Sequence, residues 1–122
     1  DQGNYCYVVE IESEKLKGAT RNQIRHALIA EGIPLTTSYP PLHALEMFKD
    51  PSGLAPRLRG DVTKIRYNEQ HFPVTEKLAA NTLWFTTSVL MGNKEDAQTV
   101  LEAIAKVSAA ADEVSKLDAP EW

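Results

Sequence analysis

Alternating side chains define the first element of the chain. Apolar and aromatic residues recur at every second position from Tyr5 to Ile11, and this period of two is typical of a β-strand. The charged stretch Glu12–Gly18 that follows indicates a solvated loop. The chain therefore opens with a strand followed by a polar connection.

A helical period begins at Thr20. Gln23 stands three residues further on, and the pair has the spacing of a capping box. Gly32 lies where a left-handed C-terminal cap is expected. The spacing predicts a helix that buries a stripe of Ile24, Ala27 and Leu28. Residues Ile33–Tyr39 then predict a short second strand.

Prolines dominate the middle of the chain. Tyr39-Pro40-Pro41-Leu42-His43 must be extended or turned, because each proline fixes its own φ and restricts the residue before it. We expect a short helix over Ala44–Lys49, ended by Asp50-Pro51-Ser52-Gly53. Residues 54–71 show no clear period. Pro73 suits the first position of a further helix, which we expect to run towards Ala80.

The last third predicts a strand over Leu83–Leu90 and a long helix capped by Asn93. The apolar residues of that helix keep a spacing near 3.6: Ala97, Val100, Leu101, Ile104, Val107, Ala111 and Val114. The order of elements predicts an α+β fold with a small three- to four-stranded, mainly antiparallel sheet and helices packed on one face. We expect residues 1–122 to form a single domain.

Composition narrows the functional classes. The chain has 122 residues, 43% of them hydrophobic, and a net charge of −4. A negative charge argues against nucleic-acid binding, and no apolar run is long enough to span a membrane. The single cysteine, Cys6, fits a reducing cytoplasm. The chain has no initiator Met, and its abrupt start favours a piece cut from a longer protein.

A search for self-sufficient chemistry finds few candidates. The sequence lacks GxGxxG, GxxxxGK, CxxC, HExxH and GxSxG motifs, so we expect neither a metal site nor a catalytic residue of its own. Arg57, Arg59 and Arg66 form either a solvated face or an anion contact. His43 follows two prolines, and rigid loops often hold binding groups. It either contacts a ligand or only fixes its turn.

Four motifs in order resemble the C-terminal third of the DegT/DnrJ/StrS-type aminotransferases. They are Thr20-Arg21-Asn22-Gln23 with Ala30-Glu31-Gly32-Ile33, then Tyr39-Pro40-Pro41-Leu42-His43, then His71-Phe72-Pro73-Val74-Thr75-Glu76-Lys77-Leu78-Ala79, and finally Leu83-Trp84-Phe85 with Leu90-Met91-Gly92 and Glu95-Asp96. The resemblance extends from Tyr5 to about Val107. The last motif is more similar to the branch that acts on cyclitols and aminohydroxybenzoate precursors than to the nucleotide-sugar branch.

The resemblance implies the small domain of a homodimeric enzyme of aminotransferase fold type I. Such enzymes use pyridoxal phosphate to move an amino group from glutamate or glutamine to a keto-sugar or cyclitol. Their Schiff-base lysine and phosphate contacts belong to the N-terminal domain, so we expect the chain to bind no cofactor and to be inactive alone. The small domain would close one side of the active-site cleft, and its Ser38–His43 segment would reach towards the substrate, with Tyr39 and His43 as the contacts. The alternative is a free-standing α+β ligand-binding or regulatory module.

Overall fold

The structure is a computed structural model and describes residues 5–49 and 71–120. The chain divides into two compact units. We call Asp1–Ser38 with Ala80–Trp122 the sheet unit and Tyr39–Ala79 the turn unit. The prediction of one domain over residues 1–122 stays a prediction.

Eleven regular elements lie in the described ranges. The strands are β1 (Cys6–Glu10), β2 (Thr36–Thr37) and β3 (Thr82–Thr86), and two 3₁₀ helices span Ser13–Leu16 and Leu42–Ala44. The α-helices are α1 (Arg21–Ala30), α2 (Glu46–Lys49), α3 (Pro73–Asn81), α4 (Thr87–Leu90), α5 (Lys94–Ala109) and α6 (Ala111–Val114). None of these helices has the length and apolar character needed to cross a bilayer.

The three strands form one antiparallel sheet in the order β1-β3-β2. Val9 lies opposite Leu83 across the β1–β3 pair, and Tyr7 lies opposite Phe85, so these four side chains share one face of the sheet. Leu83 and Phe85 are buried in a core that α1 and α5 complete from that face. The predicted α+β fold with a small antiparallel sheet is confirmed.

Local signals in the sequence set the ends of α1. The Thr20 side chain accepts from the Gln23 backbone N–H, and the Gln23 side chain accepts from the Thr20 backbone N–H at 2.8 Å. The amide of Gln23 also donates to the carbonyl oxygens of Ser115 and Leu117, each at 2.9 Å. Gly32 follows with a φ of +86°, which other residues rarely adopt. The predicted capping box and left-handed cap are both confirmed.

The prediction of a strand over Leu83–Leu90 is wrong in its second half. The strand covers Thr82–Thr86, and residues Thr87–Leu90 form a helical turn. Both the backbone N–H and the hydroxyl of Thr87 donate to the carbonyl oxygen of Tyr5, just before β1 begins. These two hydrogen bonds hold Thr87 at the end of β3, where the chain turns into α4.

The predicted C-terminal helix exists but is shorter, and most of its predicted apolar stripe faces the core, with Leu101 as the exception. Asn93 caps α5 through a capping box with Asp96, as its position indicated. The helix stops at Ala109, and α6 follows after one turn residue. Its buried side chains are Val100, Ala103 and Val107. Leu101 is 59% exposed, because it lies about 100° around the helix from Val100.

Candidate functional site

The turn unit contains the segment for which the sequence predicts ligand contact. Pro41 precedes the 3₁₀ helix Leu42–Ala44 with φ −55° and ψ 134°. The carbonyl oxygen of Pro41 accepts a hydrogen bond from the Ala44 N–H at 2.9 Å. Two consecutive prolines remove backbone freedom before the turn closes. The backbone that carries His43 is therefore held by local geometry.

His43 is held from the side as well. Its Nε2 atom lies 3.2 Å from Oε1 of Glu76, and its side chain is only 16% exposed. Its ring packs against that of Phe72 with a centroid separation of 4.9 Å and an interplanar angle of 40°. The contact with Glu76 is an ion pair when the imidazole is protonated. The side chain of His43 thus has one fixed charge partner and one fixed ring partner.

Glu76 connects His43 to the start of α3. Its Oε1 atom accepts a hydrogen bond from the Phe72 N–H at 3.1 Å, while its own backbone N–H donates to the Phe72 carbonyl at 2.9 Å. A carboxylate in the first turn of a helix is favoured by the partial positive charge of that end. One carboxylate therefore caps α3 and faces the imidazole. Glu76 is not among the site residues predicted from the sequence, although an acid shortly after Phe72-Pro73 is a usable signal for this role.

Tyr39 and His43 differ in how much of each side chain is exposed to solvent. Tyr39 is 72% exposed. His43 is mostly buried, at 16% exposure of its side chain, and its Nε2 atom faces Glu76. With Nε2 next to Glu76, Nδ1 is the ring atom left to meet a ligand. Four residues of the turn unit, Tyr39, His43, Phe72 and Glu76, make up this candidate site.

The remaining candidates do not add to the site. Arg57, Arg59 and Arg66 lie outside the described residues. Cys6 is half-buried in β1, and His71 is exposed just before α3. No group of three or more possible ligands that would hold a metal ion occurs in ranges 5–49 and 71–120.

The described lysines do not fit a pyridoxal phosphate site. All seven that lie in the described ranges are exposed. Lys15, Lys49 and Lys106 are paired with glutamates on the surface. The hydrogen bond and charge of Asp112 raise the pKa of Lys116, whereas a lysine that forms an imine needs a lowered pKa.

A polar hollow of about 480 Å³ lies in the sheet unit beside the start of α1. Its lining includes Thr20, Gln23 and the buried Asn22. Thr20 and Gln23 are engaged in the capping box, and Asn22 accepts a hydrogen bond from Nε of Arg21. These polar groups stabilise the helix start, so we assign the hollow no ligand.

The chain is similar in sequence to several known aminotransferases. No protein-family model matches it. It is 32% identical over 107 residues to a Micromonospora echinospora protein assigned as an L-glutamine:3-amino-2,3-dideoxy-scyllo-inosose aminotransferase. That alignment covers 84% of this chain and 26% of the relative. The L-glutamine:2-deoxy-scyllo-inosose aminotransferase of Streptomyces kanamyceticus is 30% identical over 106 residues, with 84% and 25% covered.

The chain is homologous to one part of these aminotransferases. The corresponding Streptoalloteichus tenebrarius enzyme, also named for 2-deoxy-scyllo-inosose, is 28% identical over 108 residues. The chain spans about a quarter of the length of the curated relatives that it matches. The resemblance to aminotransferases of the DegT/DnrJ/StrS type is thereby confirmed.

Proposed function

We propose that the chain is the C-terminal small domain of a pyridoxal-phosphate-dependent aminotransferase. The enzyme transfers an amino group from glutamine or glutamate to the keto group of a cyclitol or keto-sugar. The observation that carries this proposal is the similarity over 84% of the chain to inosose aminotransferases. The α+β fold supports it, since a small antiparallel sheet with helices suits such a domain.

Within that enzyme, the chain closes one side of the active-site cleft and contacts the amino acceptor. A polyol acceptor presents hydroxyl groups, which need positioned hydrogen-bond partners. The exposed ring of Tyr39 and the Nδ1 atom of His43 supply such partners on a backbone fixed by two prolines. Because Glu76 and Phe72 already hold the imidazole, little side-chain entropy is lost when a ligand binds to it.

The cofactor and its lysine belong to the N-terminal part of the same enzyme in this proposal. Pyridoxal phosphate supplies the electron sink for the amino transfer, and protein groups place it. The exposed positions of the described lysines support placing the cofactor-binding lysine in the N-terminal part. We further propose that the full-length enzyme is a cytoplasmic homodimer and that the isolated chain is inactive.

The test is an assay of the full-length polypeptide that contains this chain. The purified protein is incubated with pyridoxal phosphate, L-glutamine labelled with ¹⁵N at the α-amino group, and 2-deoxy-scyllo-inosose or a keto-sugar. We expect mass spectrometry to show one ¹⁵N atom in the aminated acceptor. A product with unlabelled nitrogen would mean that the transferred nitrogen does not come from the α-amino group of glutamine.

The control is residues 1–122 alone, which we expect to form no product and to show no stoichiometric pyridoxal phosphate absorbance. An absorbance band that one lysine substitution removes would contradict the assignment of the cofactor to another domain. Failure of the full-length protein to aminate any keto-cyclitol or keto-sugar would contradict the proposed aminotransferase activity.

A further inference from the structure

The two edges of the sheet are built differently. β2 is only two residues long, and Pro34 lies two residues before it. Short strands and nearby prolines protect a sheet edge from pairing with other chains. β1 spans five residues, Cys-Tyr-Val-Val-Glu, with no lysine or proline. It is the unprotected edge of the described sheet.

The register shows which backbone groups point outward from β1. Ile11 donates to the Asn81 carbonyl and Thr87 donates to the Tyr5 carbonyl, so the odd-numbered residues of β1 form the hydrogen-bonded pairs with β3. The N–H and C=O groups of Cys6 and Val8 therefore point away from β3, towards the free edge. They have the geometry needed to pair with one more strand.

An apolar groove of about 240 Å³ lies between the sheet and α5. Its lining is apolar apart from one hydroxyl and consists of Tyr7, Val9, Phe85, Ala97, Val100, Leu101 and Ile104. Tyr7, on β1, is 57% exposed, and Leu101, on α5, is 59% exposed. A strand added to the β1 edge would direct every second side chain to the face on which this groove lies. One extended segment can thus pair with the outward backbone groups of β1 and place its side chains in the groove.

We propose that an extended segment of the same polypeptide, from outside these 122 residues, pairs with β1 and inserts apolar side chains into this groove. This inference rests on the proposal that the chain is one part of a longer aminotransferase. The relatives are about four times as long as the matched region, so most of such an enzyme lies outside the chain. Main-chain pairing with alternate side chains in a groove is a common mode of strand addition.

Amide hydrogen exchange in the full-length protein tests the strand pairing. The Val8 amide points to the free edge, whereas the Val9 amide of the same strand bonds to β3 and serves as the internal control. We expect the Val8 amide to exchange at least about tenfold more slowly than an unstructured amide, as hydrogen-bonded sheet amides do. Free exchange at Val8 with protection at Val9 would overturn the proposal.

A photocrosslinker identifies the occupant. Leu101 is replaced by p-benzoylphenylalanine in full-length protein mixed from ¹⁴N and ¹⁵N chains. We expect crosslinked peptides of a single isotope that join α5 to a segment outside residues 1–122. Mixed-isotope products would identify a second copy as the occupant, and crosslinks confined to residues 1–122 would show that no segment from outside these residues fills the groove. Either result contradicts the proposal.

Paired substitutions separate the groove from general stability. Leu101→Asp is expected to remove the protection of the Val8 amide and leave that of Val9, because it places a charge in the apolar groove. Leu117→Asp, at another partly exposed leucine, is expected to leave both amides unchanged. Equal loss at Val8 in both variants would contradict a role for the groove. These measurements do not depend on activity, so they separate this inference from the proposed function.

Discussion

The sheet unit and the turn unit are stabilised by different interactions. Every residue classed as buried in the described ranges lies in the sheet unit, including Leu28, Leu83 and Val107. The described residues of the turn unit are all exposed or half-buried. The turn unit instead depends on prolines, first-turn capping by Glu76 and the contacts of His43.

This difference separates a scaffold from a candidate binding segment. A core of closely packed side chains resists local unfolding. Segments with few buried contacts unfold locally at a lower free-energy cost. Binding groups are often held on such segments by a rigid scaffold. We therefore expect substitutions in the sheet unit to lower the free energy of unfolding, and substitutions in the turn unit to affect ligand contact more than folding.

The largest expected effect is that of Leu83→Ala in the centre of β3. Leu83 is 1% exposed, so truncation leaves a cavity and should lower the free energy of unfolding by about 2–5 kcal/mol. Leu42→Ala is the matched control in the turn unit, where the side chain is 67% exposed, and should change that free energy by less than about 0.5 kcal/mol. Urea denaturation measures both. Equal losses would contradict the contrast between the units.

A smaller effect is expected at the start of α1. Thr20→Ala removes the side-chain oxygen that accepts from Gln23, and should lower the free energy of unfolding by about 1 kcal/mol. Thr99→Ala is the control, because the Thr99 hydroxyl donates within α5 to the Glu95 carbonyl and caps no end. Chemical denaturation of both variants tests the difference, and an unchanged midpoint for Thr20→Ala would show that the capping box contributes nothing.

The smallest effect concerns the exposed Asp112–Lys116 pair. The hydrogen bond and charge of Lys116 lower the pKa of Asp112, and Asp112 in turn raises that of Lys116. The stabilisation that Asp112 contributes is therefore present above its unfolded pKa and is lost as the pH falls through the folded value. Lys116→Met should move the NMR-measured pKa of Asp112 upward with almost no change in stability at neutral pH. A fixed pKa would contradict the pairing.

Local signals made the helix starts predictable, whereas the end of β3, which was predicted wrongly, depends on a tertiary contact. Thr20, Pro73 and Asn93 each act through neighbours within four residues, so their roles follow from the sequence. The end of β3 depends on Thr87 reaching Tyr5, a contact between residues far apart in the chain. A run of β-forming residues carries no information about such a contact.

The candidate site was predictable in part for the same reason. The rigid turn that carries His43 follows from two adjacent prolines. Its partner Glu76 lies more than thirty residues away, and nothing in the local pattern of either segment links the two. Whether Tyr39 and His43 contact substrate stays a prediction.

The most direct test is His43→Ala in the full-length enzyme, with catalytic efficiency and thermal stability measured on one preparation. If the Tyr39–His43 turn contacts the acceptor, loss of one positioned hydrogen bond should lower kcat/KM for the keto acceptor between a few-fold and about a hundredfold. The half-reaction with the amino donor should be affected less than the reaction with the keto acceptor, and the fold should stay intact. A lowered melting temperature with catalytic efficiency per folded molecule within about twofold of wild type would mean that His43 only fixes its turn.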